Sequence, residues 1–138
     1  MFVGILGVSE NLSKKRVEFS SEFGNAIAYW EGREPLVNSN YHVEIDIDGI
    51  LSYGEEIKIS REEKCLIRIR EDIMINIIGL LESVDNDDED VYDDNYDGLA
   101  VVRLEKYIFT FCSHGLGDFV GRYIDITVPH ITLYQYNI

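Results

Sequence analysis

The chain has 138 residues, 46% of them hydrophobic, with 26 acidic side chains against 12 basic and a formal net charge of −14. That length suits one domain with a core large enough to stand without disulfides or metals. The charge argues against nucleic acid and anionic membranes, both gripped by surplus lysine and arginine; it favours a basic partner, with plain solubility as the alternative.

The opening MFVGILGVSENLSKKR places its cations after a short apolar run, the reverse of a secretory signal. No stretch reaches the roughly 18–20 apolar residues of a membrane-spanning helix. Cys65 and Cys112 stand far apart and make no disulfide framework, so a cytoplasmic location is expected. Residues 2–8 and 17–29 read as strands, and 9–16 is one of two short helix candidates. In 41–48, Val43, Ile45 and Ile47 alternate with Glu44, Asp46 and Asp48, which makes a half-buried strand with its carboxylates in solvent. Asp48-Gly49 supplies a turn. Ile57-Lys58-Ile59 follows the Tyr53-Gly54 break. Ser60, with Glu63 three residues on, resembles a capping box and gives the second helix candidate, 60–64.

Residues 65–70 alternate Cys65, Ile67 and Ile69 with Leu66, Arg68 and Arg70. Residues 72–84 are the most apolar run; their isoleucines and Gly79 favour a strand bent at the glycine over a short buried helix. Residues 99–113 are β-branched and aromatic. Residues 123–134 alternate again until Pro129, which cannot donate to a ladder and marks an edge, a bulge or a strand end. About seven or eight short strands, with at most one or two short helices, predict a single all-β domain over 1–138. Its form is a small OB-like barrel or sandwich.

One segment breaks the pattern. Residues 85–97 (DNDDEDVYDDNYD) hold eight carboxylates and no base between two apolar strands. Crowded like charges resist burial, so an exposed acidic loop is expected. Its candidate partner-binding residues are Asp85, Asp87, Asp88, Glu89, Asp90, Tyr92, Asp93, Asp94, Tyr96 and Asp97. Tyrosine among acids offers large contact area with a polar tip, and such a loop can imitate the phosphates of a nucleic acid. Within it, Asp93-x-Asn95-x-Asp97-Gly98 matches the first half of a calcium loop. The match then fails, because Leu104 stands where a bidentate glutamate is required. An acidic-loop calcium binder is retained as an alternative.

Other chemistry finds less support. Cys112 and His114 share a strand face and, with Cys65, His42 and His130, supply enough soft ligands for one zinc ion, but no ligand spacing supports it. No cofactor is expected. The Gly115, Gly117 and Gly121 spacing misses the dinucleotide fingerprint and leads into a strand. No nucleophile, base and orienter can be assembled, so the chain is not expected to be an enzyme. Phe19, Phe23, Tyr29 and Trp30, with the Lys14-Lys15-Arg16 cluster, are candidates for a base-stacking platform, although core packing is the simpler job for most of them.

Residues 41–59, Gly79-Leu80-Leu81-Glu82, the run from Asp97 to Leu104, and Gly117 onward to Tyr134 together resemble a small OB-like barrel. In size, acidity and lack of motif the chain also resembles bacterial immunity proteins, which neutralise toxin domains, often nucleases. That resemblance implies a cytoplasmic inhibitor whose acidic surface docks on a basic toxin domain. The OB-like resemblance implies an alternative, a domain that binds single-stranded nucleic acid or a small ligand.

Overall fold

The computed structural model describes residues 1–85 and 96–136. Among the described residues there are twelve strands and no α-helix. They are β1 (Phe2–Asn11), β2 (Lys14–Ser21), β3 (Gly24–Glu31), β4 (Asn40–Asp46), β5 (Ile50–Ser52), β6 (Ile57–Ile59), β7 (Leu66–Ile69), β8 (Ile75–Asp85), β9 (Gly98–Leu104), β10 (Tyr107–His114), β11 (Tyr123–Val128) and β12 (Thr132–Gln135). No helix among these residues is long and apolar enough to cross a membrane.

Five strands close a barrel in the order β1-β2-β3-β12-β4, with β4 returning to β1. β3 and β12 run parallel, and the other neighbours are antiparallel. A small closed all-β barrel is what the alternation predicts. Closure requires β1 to pair on both edges. Phe2, Val3 and Gly4 face β4, while the rest of the strand faces β2. Gly4 pairs on both edges, and the register with β2 slips between Ile5 and Gly7, just past the end of the β4 pairing.

The remaining strands form a second sheet in the order β5-β10-β9-β8-β11-β6, with β7 beside the first half of β8. All of it is spliced into the chain between β4 and β12. The alternating run at 123–134 therefore serves two sheets. Its first half is β11, in the second sheet, and its second half is β12, in the barrel. Pro129 lies at that crossover, where no ladder donor is needed.

Splitting of this kind raises the strand count above seven or eight. The run at 17–29 is the β2–β3 hairpin, and 99–113 is the β9–β10 hairpin, turning at Glu105 with φ 56°. Neither helix candidate forms. At 9–16 the chain reverses in a tight hairpin, with Leu12 and Ser13 at φ 51° and 69°. At 60–64, Ser60 Oγ accepts from the Glu62 amide and donates to the Glu62 carbonyl, closing a local turn instead of capping a helix. In β8 the bulge falls between Leu81 and Ser83, not at Gly79. Gly79 is there for close approach: a Cβ would meet Val102 Cγ1 at 2.7 Å and the Arg103 carbonyl at 3.0 Å.

One core joins barrel and sheet. Val3, Ile5, Phe19 and Trp30 pack with Ile57, Ile77, Leu81, Phe111, Ile124 and Ile126. The seam is tight where the β2–β3 turn meets β7. The Ile67 amide donates to the Phe23 carbonyl at 3.0 Å. Gly24, at φ 131°, brings its Cα so close that a Cβ would lie 2.2 Å from the Ile67 oxygen. Phe23 and Tyr107 close the seam edge to face, with centroids 6.2 Å apart.

Candidate functional site

Alternation on β9 and β10 sends Val102, Leu104, Phe109 and Phe111 inward. The opposite face should carry polar residues if it meets only water. It carries Leu99, Val101 and Arg103 on β9, with Ile108, Thr110 and Cys112 on β10; Arg103 lies beside Ile108 and is held by Glu82 of β8. Register places Leu99 beside Cys112, and Cys112 beside Ile50 of β5; Val101 lies beside Thr110. Leu99 is 36% exposed and Ile108 54%. The result is a short apolar strip on the outside of the sheet.

Carboxylates border the strip on two sides. At one end Asp85 pairs with Leu99 across the β8–β9 ladder, and Tyr96 and Asp97 precede β9. Asp97 turns back on its own chain: its Oδ2 accepts the Gly115 amide at 2.5 Å and lies 3.4 Å from His114 Nδ1. Of the sequence candidates, Asp85, Tyr96 and Asp97 are thus placed at the base of the acidic segment. Asp87, Asp88, Glu89, Asp90, Tyr92, Asp93 and Asp94 lie outside the described residues, as do Asp93 and Asn95 of the calcium-loop match.

At the other side, Glu44 and Asp46 project from the outer face of β4 next to Tyr134 of β12. A groove of about 360 Å³ separates them from Ile108 and Thr110, with Ile45 and Phe109 as its floor. Tyr136 donates its hydroxyl to Glu44. Burial, the Asp48 charge and a hydrogen bond to Asp48 push the Asp46 carboxyl above the usual carboxylate range. Burial and the charges of Asp46, Glu31 and Asp48 likewise raise the Tyr134 phenol. Burial leads both shifts, and the neighbouring carboxylates add to it. Among the described residues, none of the ion pairs involves Glu44, Asp46 or Asp48.

The barrel carries a second depression, across β2 and β3. It is lined by Lys14, Lys15, Tyr29, Glu31, Asp48 and His130, among others. Tyr29 packs edge-on to His130 with centroids 5.4 Å apart, and Lys14 Nζ lies 5.0 Å from the Tyr29 ring centre. Lys15 is paired with Glu34. Of the four candidate stacking residues, Tyr29 and Trp30 line this depression, and Trp30 shows only an edge of its largely buried ring. Phe19, Phe23 and Trp30 are buried in the core, and the Trp30 indole donates to the Arg33 carbonyl at 2.8 Å.

The soft metal ligands do not converge. His42 packs at a tilt against Phe2, His130 packs edge-on to Tyr29, and Cys65 donates to the Arg103 carbonyl at 3.6 Å. Burial raises the Cys65 thiol, which disfavours the thiolate that a metal or a nucleophile would need. Among the described residues no group of three potential ligands gathers. The deeply buried Asn76 is fully occupied. Its amide donates to Asp125, Thr127 and the Ile126 carbonyl, and its oxygen accepts from Arg68.

Sequence reasoning found the base of the acidic segment but missed the groove and the strip. The available signal was the apolar side chain at outward positions of two otherwise alternating strands, Leu99 and Val101 on one and Ile108 on the other. Comparisons with protein-family models, curated proteins and solved structures returned no match.

Proposed function

We propose that this chain is a binding protein that docks on a basic protein partner, in the manner of the immunity proteins it resembles. Its partner would be a nuclease-like toxin domain whose cationic active-site cleft it covers. The observation that carries this is the outer face of β9–β10, where Leu99, Val101, Ile108 and Cys112 lie between two acidic borders. An apolar centre with a charged rim is the anatomy of a protein interface. The rim steers an oppositely charged partner and fixes register, while the centre supplies the desolvated contact. Inhibition is then steric and electrostatic and needs no catalytic group.

The test is affinity capture from the native host with wild type and two variants. One variant carries Leu99→Asp with Ile108→Asp. The other neutralises Asp87, Asp88, Asp90, Asp93 and Asp94 together. Wild type is expected to retain a basic protein and to inhibit it, and the first variant to lose that inhibition by roughly a hundredfold, the scale of an interface hot spot. The second variant is expected to associate more slowly, and its inhibition to fade. Unchanged inhibition by the first variant removes the strip from the mechanism, and by the second removes the acidic segment.

A second reading is favoured by the depression over β2 and β3, which lies on the face an OB barrel uses for oligonucleotides. Filter binding of a single-stranded oligothymidylate at low salt decides it. Retention that falls steeply with salt would support this reading; none is expected from a domain of this charge.

A further inference from the structure

β4 and β5 are one run of chain that changes partners. β4 lies in the barrel, Ile47, Asp48 and Gly49 make the join, and β5 then runs parallel to β10 beside residues 112–114. Ahead of the join β4 and β10 are unpaired, and the groove between Glu44 and Asp46 on one and Ile108 and Thr110 on the other is a fork between them. Both sides of the fork carry unused backbone. Val43 exchanges both hydrogen bonds with Met1, so Ile45, two residues on, points its amide and carbonyl to that same edge. β1 does not reach Ile45. His114 gives its carbonyl to the Tyr53 amide, so Thr110 and Ile108 also point their groups away from β9. β5 covers that edge only from Cys112, so among the described residues no strand pairs with Ile108 or Thr110 there.

The fork is also anionic: among the described residues no lysine, arginine or histidine lines it, and the one cation at its edge is the Met1 ammonium, which donates to the Val43 carbonyl and feels the Glu44 charge. Glu44 and Asp46 stand two apart on one face of β4, and Tyr134 lies in register between Glu44 and Glu31. We propose that the fork between β4 and β10 is an arginine pocket, which takes one guanidinium group from the basic partner. Two carboxylates answer the charge, free carbonyls take the remaining N–H groups, and the Tyr134 ring offers a face to stack on. The planar five-donor fork of arginine matches that set, whereas an ammonium presents only three donors from one point. An aromatic face further favours a guanidinium. The alkyl stem would lie on Ile108, which is otherwise half in water. Such a pocket presupposes the docking reading above and adds the group that is recognised.

The test uses the full chain, isotopically labelled, and titrates it with N-acetyl-arginine amide and, separately, N-acetyl-lysine amide, following backbone amides by NMR. Saturable shifts are expected at Ile45, Ile108 and Thr110, at several-fold lower concentration for arginine than for lysine. Glu44→Gln with Asp46→Asn should weaken the arginine response roughly tenfold while spectral dispersion is kept. Shifts spread evenly over the acidic surface, equal responses to the two amides, or indifference to the double substitution would each overturn the pocket. The docking reading fails separately. If arginine gives no local response but Leu99→Asp still abolishes inhibition of the captured partner, the pocket alone is lost. If arginine binds in the fork but Leu99→Asp, which lies outside it, leaves inhibition intact, the strip is lost and the pocket stands.

Discussion

One outer row of the barrel runs in register across four strands, from Arg16 on β2 through Tyr29 and Thr132 to Asp46 on β4. Its two ends are treated differently. At the β2 end the neighbouring cations are answered: Lys15 by Glu34, and Lys14 by the Tyr29 ring. At the β4 end the carboxylates face each other, and burial first, then Asp48, makes Asp46 hold its proton more tightly. Compensated charge costs little and does little at a surface. Uncompensated charge beside an open fork and an apolar strip is a standing repulsion that a cationic partner relieves. The difference separates a surface that is merely soluble from one arranged for contact.

The comparison presumes that barrel and sheet hold a fixed relation, and the largest predicted effect breaks that relation. Gly24→Val places side-chain atoms against the Ile67 carbonyl, at a φ of 131° that valine does not tolerate. A loss of about 3 kcal/mol or more is expected, read from urea unfolding. A loss under about 1 kcal/mol would mean that the β2–β3 turn and β7 separate freely, so that the strip and the fork have no fixed geometry.

A smaller effect sharpens the contrast between the two ends. Charge reversal at each should give unequal results. Asp46→Lys puts an ammonium among Glu44, Asp48 and Tyr134 and fills the fork from within. Binding of a hexa-arginine peptide at physiological ionic strength should weaken roughly tenfold or more by calorimetry. Arg16→Glu, at the far end of the same row, should change it by less than about threefold, because exposed charges beyond a Debye length of roughly 8 Å are screened. Equal effects would show that net charge alone sets the affinity.

Much of the architecture was legible in the chain because period-two alternation survives wherever one strand face is buried. Val43 and Ile45 against Glu44 and Asp46 announced β4 and its exposed acids without ambiguity. What alternation does not encode is which sheet a strand joins. Ile124, Ile126 and Val128 look like the start of the strand that Leu133 continues, and only Pro129 hints that the two halves part. The site was less legible for a related reason. Glu44 and Asp46 read as a solvated strand face, since their significance comes from Ile108 and Thr110, more than sixty residues away. The acidic segment stood out in composition because it needs no partner in sequence to be recognised. The helix candidate at 60–64 failed because Ser60 spends its hydroxyl on Glu62, two residues on, before a helical turn can close.

The smallest effect concerns Asp46 itself, and its sign is informative. The folded state raises this carboxyl above its ordinary range, through burial first and then Asp48. Folding therefore favours the protonated form. Below the pKa of the unfolded chain both states carry the proton and there is no penalty. As pH climbs from there through the folded-state pKa, ionisation costs the folded state more, and stability falls; at neutral pH the whole penalty is present. Asp46→Asn removes it while leaving Glu44, Asp48, Glu31 and Tyr134 in place around the site. The melting temperature should rise by about 2 °C at neutral pH, the scale of a favourable surface substitution. It should match wild type in acid below the ordinary carboxylate range. A drop at neutral pH would mean that a cation already answers Asp46, and the two ends of the row would then be alike.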